Sequence, residues 1–196
     1  DGTTQTIVWK RSDGANYLVQ VTTSTDSGQT WSAAADLSEA GEHAEAPEVA
    51  MSADGTTQTI TWKRYDGAKH RVQVRTSADS GATWSDVETL SEAGESAYDP
   101  QVAMSDDGAT QTITWERSDG ADWRIQGRTS ADSGETWSDV VTLSEAGENA
   151  YDQQVAMSAD GTTQTITWRR YDGANDVVQV RMSADSGQTW SDVETL

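Results

Sequence analysis

Short segments in which apolar and polar residues alternate recur along the whole chain, and such segments are typical of β-strands. No segment keeps apolar residues at helical spacing over the length of a helix, so the pattern predicts an all-β protein. Around residues 101–143 we predict four strands, separated by two Asp-Gly turns and one longer turn. The predicted strands are Gln101–Ser105, Thr110–Trp115, Arg124–Arg128 and Asp139–Leu143.

The longer turn carries one octet, Ser-x-Asp-Ser-Gly-x-Thr-Trp, which occurs four times in the chain. Its glycine permits a positive φ, its Asp carboxylate can accept hydrogen bonds from N–H groups downstream, and its indole can hold the loop against the sheet. We therefore predict a structural role for these residues. They are Asp26, Gly28, Trp31, Asp79, Gly81, Trp84, Asp132, Gly134, Trp137, Asp185, Gly187 and Trp190.

The tryptophans of the octets are 53 residues apart, which defines a repeat architecture. Residues 1–196 are predicted to form a single repeat domain. Its units are 1–53, 54–106, 107–159 and the incomplete 160–196. Four antiparallel strands per unit favour the blades of a β-propeller over the coils of a β-solenoid.

In this alignment the first blade lacks its inner strand, and an unpaired strand edge invites association. Three arrangements remain open. The chain could form a four-bladed ring with one three-stranded blade, belong to a larger ring as a fragment or processed product, or join a second chain as a homo-oligomer that completes a larger ring.

The charge excludes several classes of partner. Thirteen basic and thirty-three acidic residues give a net charge of −20, which opposes binding to nucleic acid or to anionic membrane surfaces. The absence of cysteine excludes a thiol nucleophile and disulfides, and no apolar run is long enough for membrane insertion. His43 and His70 have no second His or Cys at ligand spacing, so we predict neither a metal site nor a cofactor.

The octet resembles the Asp-box, also called the bacterial neuraminidase repeat, which occurs in sialidases, sortilin-type receptors and many secreted β-propellers. This resemblance covers all four units. It implies that the octets are fold elements on the face away from an active site, and that the protein is secreted or at the cell surface.

On the opposite face we expect the residues next to the second turn of each unit. The recurring Arg-x-Asp-Gly contributes Arg11, Arg64, Arg117 and Arg170, which either form a clamp for a carboxylate ligand or pair locally with Asp13, Asp66, Asp119 and Asp172. The aromatic residues Tyr98, Tyr151 and Trp123 lie near the same end and can stack on a sugar ring or serve as packing residues.

The resemblance to sialidases further implies three arginines around a carboxylate, a Tyr nucleophile activated by Glu, and an Asp acid/base. Near-identical units offer the same residues in every blade, and we find no such constellation, so no catalytic residue is predicted. The favoured hypothesis is a non-catalytic binding or scaffold module for a glycan or protein ligand. The alternatives are a fragment of a sialidase-like glycoside hydrolase and a purely structural repeat array.

Overall fold

The computed structural model describes residues 2–118 and 120–196, and these contain fifteen strands and no helix. The strands are β1 Gln5–Ser12, β2 Tyr17–Ser24, β3 Ala35–Asp36, β4 Ala44–Met51, β5 Gln58–Tyr65, β6 His70–Ser77, β7 Glu88–Thr89, β8 Ala97–Met104, β9 Gln111–Ser118, β10 Trp123–Ser130, β11 Val141–Thr142, β12 Ala150–Met157, β13 Gln164–Tyr171, β14 Asp176–Ser183 and β15 Glu194–Thr195.

The strands form four antiparallel sheets in chain order, which we call blades 1 to 4. Blade 1 is β1–β3, blade 2 is β4–β7, blade 3 is β8–β11 and blade 4 is β12–β15. The predicted all-β propeller architecture is confirmed, including the first blade without an inner strand. The predicted length of the fourth strand was wrong, because only two of its five residues pair with the neighbouring strand.

The inner strands begin four residues earlier than the prediction for Gln101–Ser105, and each contains a bulge. In blade 3 the register shifts between Tyr98 and Gln101. Asp99 takes a positive φ of 47° there, and Pro100 has no N–H to donate to a ladder. The bulge hides the alternation that marks the rest of the strand, which is why sequence reasoning missed this segment.

Apolar residues are buried between blades. Each of the three hydrophobic clusters found in the described residues joins one blade to the next. At the junction of blades 2 and 3, Val72, Val74 and Leu90 pack against Ile113 and Trp115. The alternation of the strands therefore supplies two apolar faces per blade, one for each neighbour.

The octet tryptophans take part in these junctions. Trp84, Trp137 and Trp190 pack against the cluster shared with the preceding blade. Trp31 belongs to the first blade and is 40% exposed. The indole that we expected to hold each loop against its sheet thus also joins two blades.

Candidate functional site

The four octet loops lie at one end of the blades, which we call the box face. In each loop the Asp carboxylate closes its own turn. Asp79 accepts hydrogen bonds from the Thr83 amide at 2.8 Å, the Thr83 hydroxyl at 2.5 Å and the Ser77 hydroxyl at 2.8 Å. Ser80 and Gly81 follow with positive φ angles of 61° and 82°. These carboxylates are therefore saturated by their own loops.

The same hydrogen bonds stabilise the charged form of the box carboxylates. They lower the pKa of Asp26 and of Asp185 to about 2, with the hydroxyls of Thr30 and Thr189 as the largest cause. The pKa values of Asp79 and Asp132 are lowered for the same reason. The box residues are thus arranged as a scaffold, and their oxygens face their own loops.

At the other end of the blades, which we call the ligand face, aromatic rings from three blades follow one another. The ring centroids of Tyr65 and His70 are 5.3 Å apart, those of His70 and Tyr98 4.8 Å, those of Tyr98 and Trp123 5.4 Å, and those of Trp123 and Tyr151 6.3 Å. We call these five residues the aromatic row. It contains all three aromatic residues of the predicted site, each partly exposed.

The row forms because corresponding strand ends converge on this face. Tyr98 and Tyr151 lie near the starts of inner strands, and Trp123 and His70 begin the third strands of their blades. The third-strand start of one blade therefore contacts the inner-strand start of the next. The amide of Trp123 also donates to Asn149 of the segment leading into blade 4, and that of His70 to Ser96 before blade 3.

Cationic side chains cover the flanks of the row. The Lys63 ammonium lies 5.3 Å from the Tyr98 ring centre, and the Arg169 guanidinium lies 5.7 Å from that of Tyr151. A third pair, Lys10 over Tyr17, extends the arrangement to blade 1 at 4.4 Å. Cations at these distances are attracted by the ring faces. Three of the thirteen basic residues of this acidic chain, Lys10, Lys63 and Arg169, thus lie on this face.

One carboxyl group on this face is buried. Glu116 is 8% exposed, and its Oε1 accepts the amide of Asp152 at 2.7 Å. Burial raises its pKa to about 7, with Asp99 and Asp152 adding to the rise. The pKa of the neighbouring Tyr151 is also raised, first by burial and then by the charge of Glu116. A carboxyl that titrates near neutral pH beside exposed rings can donate or accept a proton.

Glu116 was missed by sequence reasoning, which treated the units as chemically equal. The corresponding positions hold Lys10, Lys63 and Arg169, so this position on the ligand face differs in charge between blades. A comparison of aligned units at the ends of the second strands would have revealed the substitution. His70, Lys63 and Arg169 were likewise not predicted as site residues.

The predicted arginines lie near the ends of the second strands, and the structure ties three of them to loops between blades. Arg64 contacts the Glu39 carboxylate at 3.0 Å and the carbonyl of Ala40, and its side chain is 11% exposed. Arg117 and Arg170 make the corresponding contacts with residues 92–93 and 145–146. Arg11 is exposed.

In the second unit Arg64 pairs with Glu39 rather than with Asp66, whose Oδ2 lies 3.5 Å from Arg71 Nη1. Asp66 uses Oδ1 to accept the amides of Ala68 and Lys69, at 3.0 and 2.8 Å. Asp13 and Asp172 close their own turns in the same way. Asp119 lies outside the described residues. Arg64, Arg117 and Arg170 lie close to a Glu of the loop that precedes their own blade.

A shallow pocket of about 300 Å³ lies next to the row, between blades 1 and 2. Its lining is mainly aromatic and comprises Tyr17, His43, Glu45, Tyr65 and His70. The described residues contain no group of three or more His, Cys, Asp or Glu that could hold a metal ion. Within the same residues, no helix long and apolar enough to cross a membrane is found.

The chain matches one protein family and is similar to several solved structures. The family described as "BNR repeat-like domain" matches residues 4–196. Among solved structures, the chain is similar to the Hadza microbial sialidase Hz136, with 14% identity, a TM-score of 0.60 and coverage of 100% of this chain and 57% of that one. It is also similar to the leech intramolecular trans-sialidase, with 12% identity, a TM-score of 0.64 and coverage of 99% and 49%.

A polysaccharide lyase, an ulvan lyase of family PL25, has the same fold, with 11% identity, a TM-score of 0.65 and coverage of 100% of this chain and 53% of that one. The chain spans about half the length of these proteins. No curated protein matches the sequence. At these identities the likeness concerns the fold, which is shared by proteins that act on different glycans.

Proposed function

Because the chain belongs to the family of BNR repeat-like domains, we propose that it is a non-catalytic glycan-binding propeller module whose ligand lies across the aromatic row. The observation that carries this proposal is the continuity of Tyr98, Trp123 and Tyr151 from blade 3 to blade 4. The sialidase and lyase structures of the same fold support a saccharide as the ligand class.

The chemistry of the row suits a sugar. The apolar C–H face of a pyranose packs on an aromatic ring, while polar groups at the edge of the row bind hydroxyls. Lys63 and Arg169 supply hydrogen-bond donors. The exposed carboxylates of Asp152 and Asp176 supply acceptors, and each of these two carboxylates also forms an ion pair with Arg169. Stacking surface and hydrogen-bonding groups thus occur together on the ligand face.

The first experiment is a glycan array, followed by calorimetric titration of the saccharides that bind. Trp123→Ala should weaken binding by at least about tenfold, since a ring that anchors a ligand is worth more than 1.4 kcal/mol. Trp31→Ala is the matched control, because Trp31 is also exposed but belongs to a box loop. An array without any saccharide ligand would support a purely structural repeat array, and equal effects of both substitutions would place the ligand elsewhere.

A second candidate, a sialidase-like hydrolase, is favoured by one observation. Glu116 influences the titration of Tyr151, and Asp152 and Arg169 lie beside them. This arrangement offers a carboxyl, a phenol and a cation at one blade junction. Incubation with a fluorogenic sialoside separates the candidates: turnover that Tyr151→Phe abolishes would replace the binding proposal, whereas binding without turnover supports it. A secreted or cell-surface location is part of both proposals.

A further inference from the structure

The shallow pocket between blades 1 and 2 leads to an inference about the ligand itself. We propose that this pocket binds the acetamido group of an N-acetylated amino sugar, so that the glycan ligand carries such a unit at the blade 2 end of the aromatic row. Because Tyr65 and His70 belong both to the row and to the pocket, this assignment rests on the proposed function and adds the class of one sugar unit to it.

The pocket exists because one residue departs from the repeat. Glu45 stands at the position that Tyr98 and Tyr151 hold in blades 3 and 4. There each tyrosine ring packs against the third-strand start of the preceding blade. The ring centroid of Tyr98 lies 4.8 Å from that of His70, and the centroid of Tyr151 lies 6.3 Å from that of Trp123. At the junction of blades 1 and 2 a carboxylate replaces the ring, and a space of about 300 Å³ remains.

The walls of the pocket are aromatic rings. The hydroxyl of Tyr65 donates to the carbonyl of Gly67 at 3.1 Å, so its polar end is used within its own turn. Burial, followed by the charge of Lys63, lowers the pKa of His70, which favours the neutral ring. Tyr17 supplies a third ring, which is 39% exposed. Neutral rings of this kind suit an apolar group such as a methyl.

Two polar groups at the pocket match the two hydrogen-bonding atoms of an amide. Oε1 of Glu45 pairs with Lys10 Nζ at 3.0 Å, while Oε2 is 3.9 Å from Lys63 Nζ, beyond hydrogen-bond distance. Oε2 can therefore accept the N–H of an acetamido group. Nδ1 of His43 accepts the amide of Tyr17 at 3.1 Å. The neutral ring of His43 therefore has its proton on Nε2 and can donate it to the acetamido carbonyl.

Charged sugar groups fit this pocket less well. Both ammonium groups beside it pair with Glu45, and the hydrogen bond from Lys10 is the largest cause that lowers the pKa of this carboxyl. A ligand anion would have to approach an ionised carboxylate, and the net charge of −20 also opposes it. A ligand cation would have to displace Lys10, whose ammonium lies 4.4 Å from the centre of the Tyr17 ring. A neutral group with one donor, one acceptor and an apolar end meets neither cost.

The test compares sugars that differ only in the acetamido group. N-acetylglucosamine and N-acetylgalactosamine are compared with glucose and galactose by saturation-transfer NMR on the full chain, which also shows which ligand protons contact the protein. We expect the acetylated sugars to bind at least about tenfold more tightly than their hydroxyl counterparts, because a hydroxyl leaves the ring walls without an apolar partner. The strongest saturation transfer should reach the acetyl methyl protons.

The chain itself supplies a variant that fills the pocket. Glu45→Tyr introduces the residue that blades 3 and 4 already hold at this position, so the blade should still form. It should remove the preference for acetylated sugars while leaving the stacking surface of Trp123 in place. Glu45→Gln keeps the space and an acceptor oxygen, so it should retain the preference. Glu95→Gln is the matched control, because Glu95 also pairs with a lysine, Lys69, but does not line the pocket.

Equal binding of acetylated and unacetylated sugars would overturn the assignment, and so would a preference that Glu45→Tyr leaves unchanged. Either result leaves the proposed function standing if Trp123→Ala still weakens the binding of saccharides found on the array. A chain that binds no saccharide at all contradicts the proposed function and the acetamido pocket together. The two failures are therefore distinguishable.

Discussion

Leu90 and Leu196 occupy the same place in two units but differ in how far they are buried. Comparing substitutions at the two positions therefore tests whether burial between blades stabilises the fold. Leu90 is fully buried at the junction of blades 2 and 3, and Leu196 is 73% exposed. We expect Leu90→Ala to destabilise the protein strongly and Leu196→Ala to have little effect. The local sequences of the two units are nearly identical, so secondary-structure propensity cancels in this comparison.

The magnitude follows from the atoms that lose their surroundings. The substitution removes three side-chain carbons, worth about 2.4 kcal/mol when they are fully buried. The unfilled space at Leu90 adds a cavity cost, so the total should be about 3–5 kcal/mol. At Leu196 only about a quarter of the side chain is covered, which gives roughly 0.6 kcal/mol and no cavity.

Urea unfolding followed by tryptophan fluorescence measures both free energies. An equal loss in the two variants would refute the view that burial between blades stabilises this fold. A loss at Leu90 confined to one step of a multi-step transition would still fit it, because stability in repeat proteins is a sum over units and junctions.

Three further predictions concern ionisable groups. The pKa of Glu116 is raised to about 7, so the folded state binds a proton more tightly than the unfolded state, whose carboxyl has its ordinary pKa near 4.5. The stabilisation by this group is therefore present at low pH and is lost as the pH rises through about 7. Glu116→Gln should remove this pH dependence from unfolding curves measured between pH 4 and 8. If the unfolding free energies of both proteins change with pH by the same slope, the assignment to Glu116 is contradicted. Asp79→Ala should lower the unfolding free energy by about 1–2 kcal/mol, because the Thr83 amide and two hydroxyls lose their acceptor, whereas Asp86→Ala, outside the loop, should be close to neutral. For Asp26 and Asp185 the folded pKa is depressed to about 2, so their contribution should persist above about pH 4 and disappear as pH falls toward 2, and acid titration of the wild type alongside Asp26→Ala checks this sign.

The local features of this protein are determined by short stretches of sequence. The octet Ser77–Trp84 contains its own acceptor, its own hydroxyls and a glycine for the reversed backbone, so its loop follows from eight residues. The strands follow from alternation, and the 53-residue period gives the blade as a unit. Each of these properties depends on interactions between residues close together in the chain.

The ligand face depended on tertiary structure, because its contacts join residues of different blades. His70 meets Tyr98 only when blades 2 and 3 pack together, and Glu116 becomes buried only when the inner strand of blade 4 places Asp152 over it. Arg64 similarly finds Glu39 across a blade boundary rather than the Asp two residues away. The alternation of apolar and polar residues does not predict such partners. It indicates on which side of a sheet a residue lies, but not which residue of another blade packs against it.

Trp31 and Trp84 show this division most directly. Their octets are nearly the same, and both form the same loop, yet one indole is exposed and the other packs in a core. Sequence determined the loop because its hydrogen bonds are local. The neighbouring blade decided the burial, because the free energy of burying an indole depends on the surface that covers it.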